Sequence, residues 1–114
     1  MEFTEDTIGK IKIFYLKGKI MGDPASESMC EHLKQSIAAG MASLVMDFGR
    51  VRWINSHGIG MIIGCMTSLR NAGGDLRFAN LQGATRHYFE ITKLDTVIKI
   101  YDTVDEAVAS FSKS

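Results

Sequence analysis

With 114 residues, the chain is long enough to bury one hydrophobic core, and we expect a single domain over residues 1–114. Thirteen Lys and Arg residues balance thirteen Asp and Glu residues. This balance excludes the strong net charge typical of proteins that bind nucleic acid or anionic membranes, whereas it leaves open self-association as a weak homodimer.

Hydrophobicity and cysteine usage predict the compartment. No apolar run approaches the roughly 20 residues that a membrane helix needs, and no signal peptide is recognisable. Cys30 and Cys65 both fall in apolar-rich stretches with helical periodicity, which is typical of reduced core thiols rather than of a disulfide framework. We therefore expect a soluble, cytoplasmic protein.

The first third of the chain predicts a hairpin and a helix. β-favouring segments at residues 3–6 and 11–16 flank a turn at residues 7–10, and apolar residues on both faces of the second segment indicate an interior strand. A bend at residues 18–22 leads to Asp23-Pro24. There the carboxylate is expected to cap a helix that ends at Gly40.

The middle of the chain is its most hydrophobic part. Leu44–Phe48 predicts an interior strand, followed by a turn and then by a helix that follows Ser56 and closes at Asn71–Gly74. A glycine inside a helix costs about 1 kcal/mol relative to alanine. Another backbone or a partner is therefore expected close to the three glycines of this helix, Gly58, Gly60 and Gly64.

The last third alternates strands and helices, at residues 76–79, 84–91, 97–101 and from Val104 onward, with a capping box at Thr103–Glu106. The resulting order, ββαβαβαβα, predicts an α/β fold: an open mixed sheet with an N-terminal hairpin and about four helices. In such sheets functional groups lie beyond the carboxyl ends of strands, at the turns into helices. Ser56 occupies such a turn.

A catalytic serine is disfavoured by the residues around Ser56. A nucleophile elbow has a glycine two residues before the serine, where this chain has Ile54. His57 is the immediate neighbour of Ser56, and adjacent residues at a helix start seldom reach nucleophile–base geometry. His87 with Asp75 satisfies only the chain order of a hydrolase, which therefore stays a remote alternative.

Metal and nucleotide sites have weaker support. Cys30 and His32 are two residues apart in a predicted helix and so point to different faces, and no second ligand pair has zinc-like spacing. Gly58-Ile59-Gly60 alone is far from a phosphate-binding loop. We expect no cofactor on this chain.

Two roles remain for Ser56. As a helix cap, its oxygen would accept an N–H one turn into the helix, which stabilises a helix by about 0.5–2 kcal/mol. Caps are common and modification sites are rare, so spacing alone favours the cap. The roles are compatible, because the N–H groups and dipole of a helix N-terminus also stabilise a phosphate.

At these residues the chain resembles the STAS domain family, and within it the anti-sigma-factor antagonists of bacterial partner switching. The resemblance covers nearly the whole chain and rests on five segments: Gly18–Ile20, Val45–Phe48, Trp53–Gly60, Asn71–Gly74 and Thr92–Leu94. It implies a mixed sheet flanked by helices and no enzymatic activity. It also implies a cycle in which an anti-sigma factor that is a serine kinase binds and then phosphorylates the antagonist, and a serine phosphatase resets it.

The resemblance places the phosphoacceptor on Ser56 and implies that ATP is bound on the kinase, not on this chain. Many members have aspartate where this chain has Asn55, and a hydroxyl residue where it has His57. The expected partner-binding surface comprises Asp23, Asn55, Ser56, His57, Gly58, Ile59 and Gly60. A phosphorylation-independent STAS interaction or scaffold module is the alternative function.

Overall fold

One five-stranded sheet, flanked by helices, organises the computed structural model, which describes residues 1–22 and 24–113. The strands lie in the order β1-β2-β3-β4-β5; β1 runs antiparallel to β2, and the other neighbours are parallel. The element order confirms the predicted mixed sheet with an opening hairpin. The elements are β1 (Glu2–Ile8), β2 (Ile11–Ile20), α1 (Pro24–Ala38), β3 (Ser43–Ile54), α2 (Ser56–Asn71), β4 (Asp75–Ala79), α3 (Gly83–Ile91), β5 (Lys99–Tyr101) and α4 (Val104–Ser110), with short 3-10 helices at Leu94–Thr96 and Phe111–Lys113.

The two faces of the sheet are buried by different helices. Helices α1, α2 and α3 cover one face, where the rings of Phe48, Phe78 and Phe89 pack together with centroids 4.8–6.2 Å apart. Helix α4 covers part of the other face through Ala107, which packs on a smaller apolar cluster. The Thr103 half of the predicted capping box of α4 is confirmed, since the hydroxyl of Thr103 accepts the N–H of Glu106 at 3.0 Å.

Strand β3 is longer than its sequence predicts. The prediction of a turn after Phe48 is wrong, because the strand continues to Ile54 and pairs with β2 over nearly its whole length. Two register shifts in the pairing accommodate the extra residues. At the first shift the Asp47 carboxylate accepts the Gly49 N–H at 2.9 Å and an amide N–H of Asn80 at 2.8 Å. This extension delivers the chain directly to Ser56.

Cys30 and Cys65 form a disulfide between α1 and α2, so the prediction of reduced thiols is wrong. Their Cα atoms are 5.9 Å apart, within the range that a disulfide requires. Sequence separation gave no sign of this pairing, because it depends on how the apolar stripes of two helices meet. The bond closes a loop that includes all of β3 and the start of α2.

The start of the last strand, the cap at Asp23 and the absence of a membrane helix were also predicted from the sequence. The last strand begins at Lys99 rather than at residue 97, since a 3-10 helix occupies Leu94–Thr96. The expected cap at Asp23 lies outside the described residues. In the part of the chain that the structure describes, no helix is long and apolar enough to span a membrane.

Candidate functional site

Ser56 is the first residue of α2 and follows directly on the β3 extension. It lies beyond the carboxyl ends of the parallel strands, where the fold was expected to place its functional groups. Its side chain is exposed to solvent.

The residue that caps α2 is Asn55, not Ser56. Asn55 has extended backbone angles, φ −103° and ψ 176°, and its side-chain oxygen accepts the N–H of Gly58 at 2.7 Å. The prediction that Ser56 caps this helix is therefore wrong. Among the described residues, no hydrogen bond occupies the Ser56 hydroxyl, which is left available for chemistry.

Gly58 lets the start of α2 lie directly against the end of β2. A Cβ atom on Gly58 would stand 2.2 Å from the carbonyl oxygen of Ile20, a distance that only a glycine permits. The same carbonyl accepts the N–H of Asn55 at 3.3 Å. The close approach expected at this glycine is thus made by the chain's own backbone, and it holds the Ser56 turn in place.

His57 packs against the bend between β2 and α1. The bend includes Gly22, whose φ of +74° is a left-handed conformation that suits glycine. A Cβ atom there would lie 2.1 Å from Cδ2 of His57. The imidazole ring therefore fills the space above Gly22, and the Ser56 side chain remains exposed beside it.

The seven residues predicted for the partner-binding surface differ in exposure. Ser56, His57 and Gly60 are exposed and Asn55 is half-buried, whereas Gly58 and Ile59 are buried. A Cβ atom on Gly60 would meet nothing within 4 Å, so the helix is open there. Asp23 lies outside the described residues.

The electrostatic setting of Ser56 suits an added anion. The first turn of α2 contains no acidic side chain, and the N–H groups of a helix start carry partial positive charge.

Farther along the sheet, burial raises the pKa of Tyr15, and three nearby carboxylates raise it further: Asp6, Asp47 and Asp105.

The structure does not bring together the groups of a serine hydrolase. Asp75 begins β4 beside Ser43, at the opposite end of the strands from Ser56, and its carboxylate pairs with the Arg77 guanidinium at 3.1 Å. His57 is turned to Gly22. Within residues 1–22 and 24–113, no cluster of three or more His, Cys, Asp or Glu residues could hold a metal ion.

The β3 extension contributes two arginines that sequence reasoning missed, and it holds the tryptophan that begins the segment Trp53–Gly60 of the family resemblance. Arg50, Arg52 and Trp53 are exposed, and Trp53 retains half of its accessible surface, 50%. The alternation of Arg50 and Arg52 was the available sign of a strand here. Gly49 masks this sign, because a glycine after an apolar run favours a turn.

Comparisons with known proteins agree on one family. The sequence matches the STAS domain family model over residues 3–107. A Bordetella bronchiseptica relative named "Putative anti-sigma factor antagonist BtrV" is 26% identical over 111 residues, which are 97% of this chain and 95% of the relative.

Two solved structures share the fold. A Thermotoga maritima "putative anti-sigma factor antagonist" has a TM-score of 0.82 at 19% identity, with 95% of this chain and 92% of that chain covered. Bacillus SpoIIAA in its phosphorylated form has a TM-score of 0.73 at 20% identity, with 96% and 99% covered.

Proposed function

The chain belongs to the STAS domain family. We propose that it is an anti-sigma-factor antagonist, that is, a protein-binding switch controlled by phosphorylation of Ser56. The names of its relatives support the general role. SpoIIAA, which shares the fold, has been solved in both a phosphorylated and an unphosphorylated form.

The proposal rests on the observation that the helix cap and the exposed hydroxyl at the start of α2 belong to two different residues. Asn55 caps the helix, whereas the Ser56 hydroxyl is exposed and makes no hydrogen bond within residues 1–22 and 24–113. A phosphate there would lie at the helix N-terminus, where backbone N–H groups and the dipole stabilise negative charge. Ser56 can therefore be modified without dismantling the turn that presents it.

A phosphate on Ser56 would change the surface more than the fold. It adds about 1.5–2 negative charges and several strong hydrogen-bond acceptors. The neighbouring surface at His57 and Gly60 is exposed and has no acidic group in the first helical turn. A partner complementary to the neutral surface would then meet an unpaired charge at the interface, which costs binding energy.

The proposed partners follow from this role. An anti-sigma factor that is also a serine kinase binds the unphosphorylated protein and transfers phosphate from its own bound ATP to Ser56. A serine phosphatase then restores the hydroxyl. This chain supplies the acceptor and the binding surface, and the partner enzymes supply the catalytic groups.

The test is to incubate the protein with the anti-sigma-type serine kinases of the same genome and ATP, and to map the modified residue by mass spectrometry. We expect a single phosphate on Ser56, and none on Ser56→Ala. Ser68→Ala is the matched control, because Ser68 is an exposed serine of the same helix. Binding of these kinases without modification of Ser56 would instead support the phosphorylation-independent scaffold.

A further inference from the structure

A groove lined by cations lies along the β3 extension that leads to Ser56. It has a volume of about 780 Å³ and lies where the carboxyl-terminal parts of β2 and β3 run side by side. Four basic residues line it, Lys17, Lys19, Arg50 and Arg52, and one acidic residue does so, Glu2. In a chain whose charges balance overall, this is a local concentration of positive charge.

The groove exists because β2 and β3 extend past their neighbours. Strand β4 pairs with β3 only from Ser43 to Asp47, so the Gly49–Ile54 extension has β2 alone beside it in the described part of the chain. Helix α4 covers its face of the sheet at the level of Ile13 and Val45 through Ala107. Beyond that level the extended strands are open to solvent.

Ion pairs within the described part of the chain do not explain these four cations. All four residues are exposed, and none forms an ion pair with a carboxylate in residues 1–22 and 24–113. The nearby Asp47 carboxylate is occupied by Gly49 and Asn80. Like charges held close together repel, so their proximity is unfavourable in the isolated protein and favourable when an anion lies between them.

The exposed Trp53 lies at the end of the same strand extension. Its pairing partner across the sheet is Lys19, which lines the cationic groove. Tryptophan and arginine are the residues most enriched among energetically dominant contacts of protein interfaces. An exposed tryptophan that directly follows Arg52 in the same strand therefore favours a protein segment over a small anion as the occupant of the groove.

We propose that this groove is a second docking site, which receives an acidic, extended segment of a partner protein. Its carboxylates would pair with Arg50, Arg52 and the two lysines, and its apolar side chains would contact Trp53. Nucleic acid is disfavoured, because a nucleic-acid surface normally belongs to a strongly basic domain, whereas this chain has no net charge. The groove is separate from the Ser56 hydroxyl, and the proposal does not depend on phosphorylation.

The site can be tested with a fluorescently labelled short peptide of alternating glutamate and valine, and the same peptide with glutamine replacing each glutamate. We expect the acidic peptide to bind, with an affinity that falls as salt is added, and the glutamine peptide to bind at least about tenfold more weakly. The Arg50→Gln/Arg52→Gln variant should weaken binding of the acidic peptide by about tenfold or more, as should Lys17→Gln/Lys19→Gln.

The matched control is Lys10→Gln/Lys99→Gln, which removes the same charge from exposed residues outside the groove and should leave the affinity within about twofold. Ser56→Ala should also bind as the wild type does, which separates this site from the switch. A thymidine oligonucleotide and phosphatidylserine vesicles serve as rival anions. The proposal is overturned if either binds more tightly than the peptide, if the peptide does not bind, or if the groove variants and the control lose affinity equally.

Discussion

Asn55 and Ser56 share the start of α2, yet they carry different tasks. The amide oxygen of Asn55 accepts the Gly58 N–H, while the Ser56 hydroxyl faces solvent. Asparagine and serine are about equally good caps, so the sequence alone could not assign the role to one of them. The strand extension determines which residue is the cap. It brings the extended backbone as far as Asn55, and the helix begins at the next residue, Ser56.

We predict that alanine at these two positions has unequal effects on the free energy of unfolding. Asn55→Ala should lower it by about 0.5–2 kcal/mol, the usual effect of losing a cap. Ser56→Ala should change it by less than about 0.5 kcal/mol, since the side chain is exposed. Urea unfolding of the two variants measures the difference. A loss in Ser56→Ala equal to that in Asn55→Ala would show that the serine has a structural role.

The sequence indicates that His57 is important, but it does not indicate what His57 contacts. The sequence singles it out as a departure from the family, but its surroundings could not be predicted. They depend on Gly22, which lies 35 residues earlier along the printed sequence and comes under the ring only when the bend folds onto α2. A long-range contact between two such residues leaves no periodic pattern in the sequence.

At the scale of elements, periodicity predicted the order of helices and strands, and it failed where strands depart from regular pairing. The confirmed elements include the hairpin, α2 and the capped α4. Strand β3 was cut short at Gly49, because a glycine after an apolar run usually indicates a turn. The pairing irregularity and the Asp47 hydrogen bonds that carry the strand through this glycine involve β2 and Asn80, which are distant in sequence.

The disulfide between α1 and α2 gives a prediction at this scale. The two cysteines are 35 residues apart, and a bond that closes a loop of this size typically adds about 2–4 kcal/mol by restricting the unfolded chain. Dithiothreitol should therefore lower the urea midpoint of the wild-type protein. The Cys30→Ser/Cys65→Ser variant should have the lower midpoint from the outset and should not respond to the reductant.

Thiol titration under denaturing conditions is the control for this experiment, because it reports whether the bond has formed before reduction and broken after it. An unchanged midpoint on complete reduction would mean that helix packing alone fixes α1 on α2. In that case the bond would add nothing to stability.

At the scale of the whole molecule, the sheet brings the proposed functions to one end. We propose that residues 1–114 fold as a unit, since one sheet joins all five strands. The carboxyl ends of the parallel strands hold both the Ser56 turn and the cationic groove. A partner that contacts both surfaces would be repelled by a phosphate at the Ser56 turn and attracted by the positive charge of the groove.

The proposed switch requires that phosphorylation of Ser56 ends partner binding. Calorimetric titration of the kinase that modifies Ser56 with the unmodified and the phosphorylated protein tests it directly. We predict that the phosphate weakens binding by at least about 100-fold, or about 2.7 kcal/mol. Ser68→Asp, which adds charge elsewhere on α2, should bind as the unmodified protein does. Equal affinities for the unmodified and phosphorylated forms would contradict the switch.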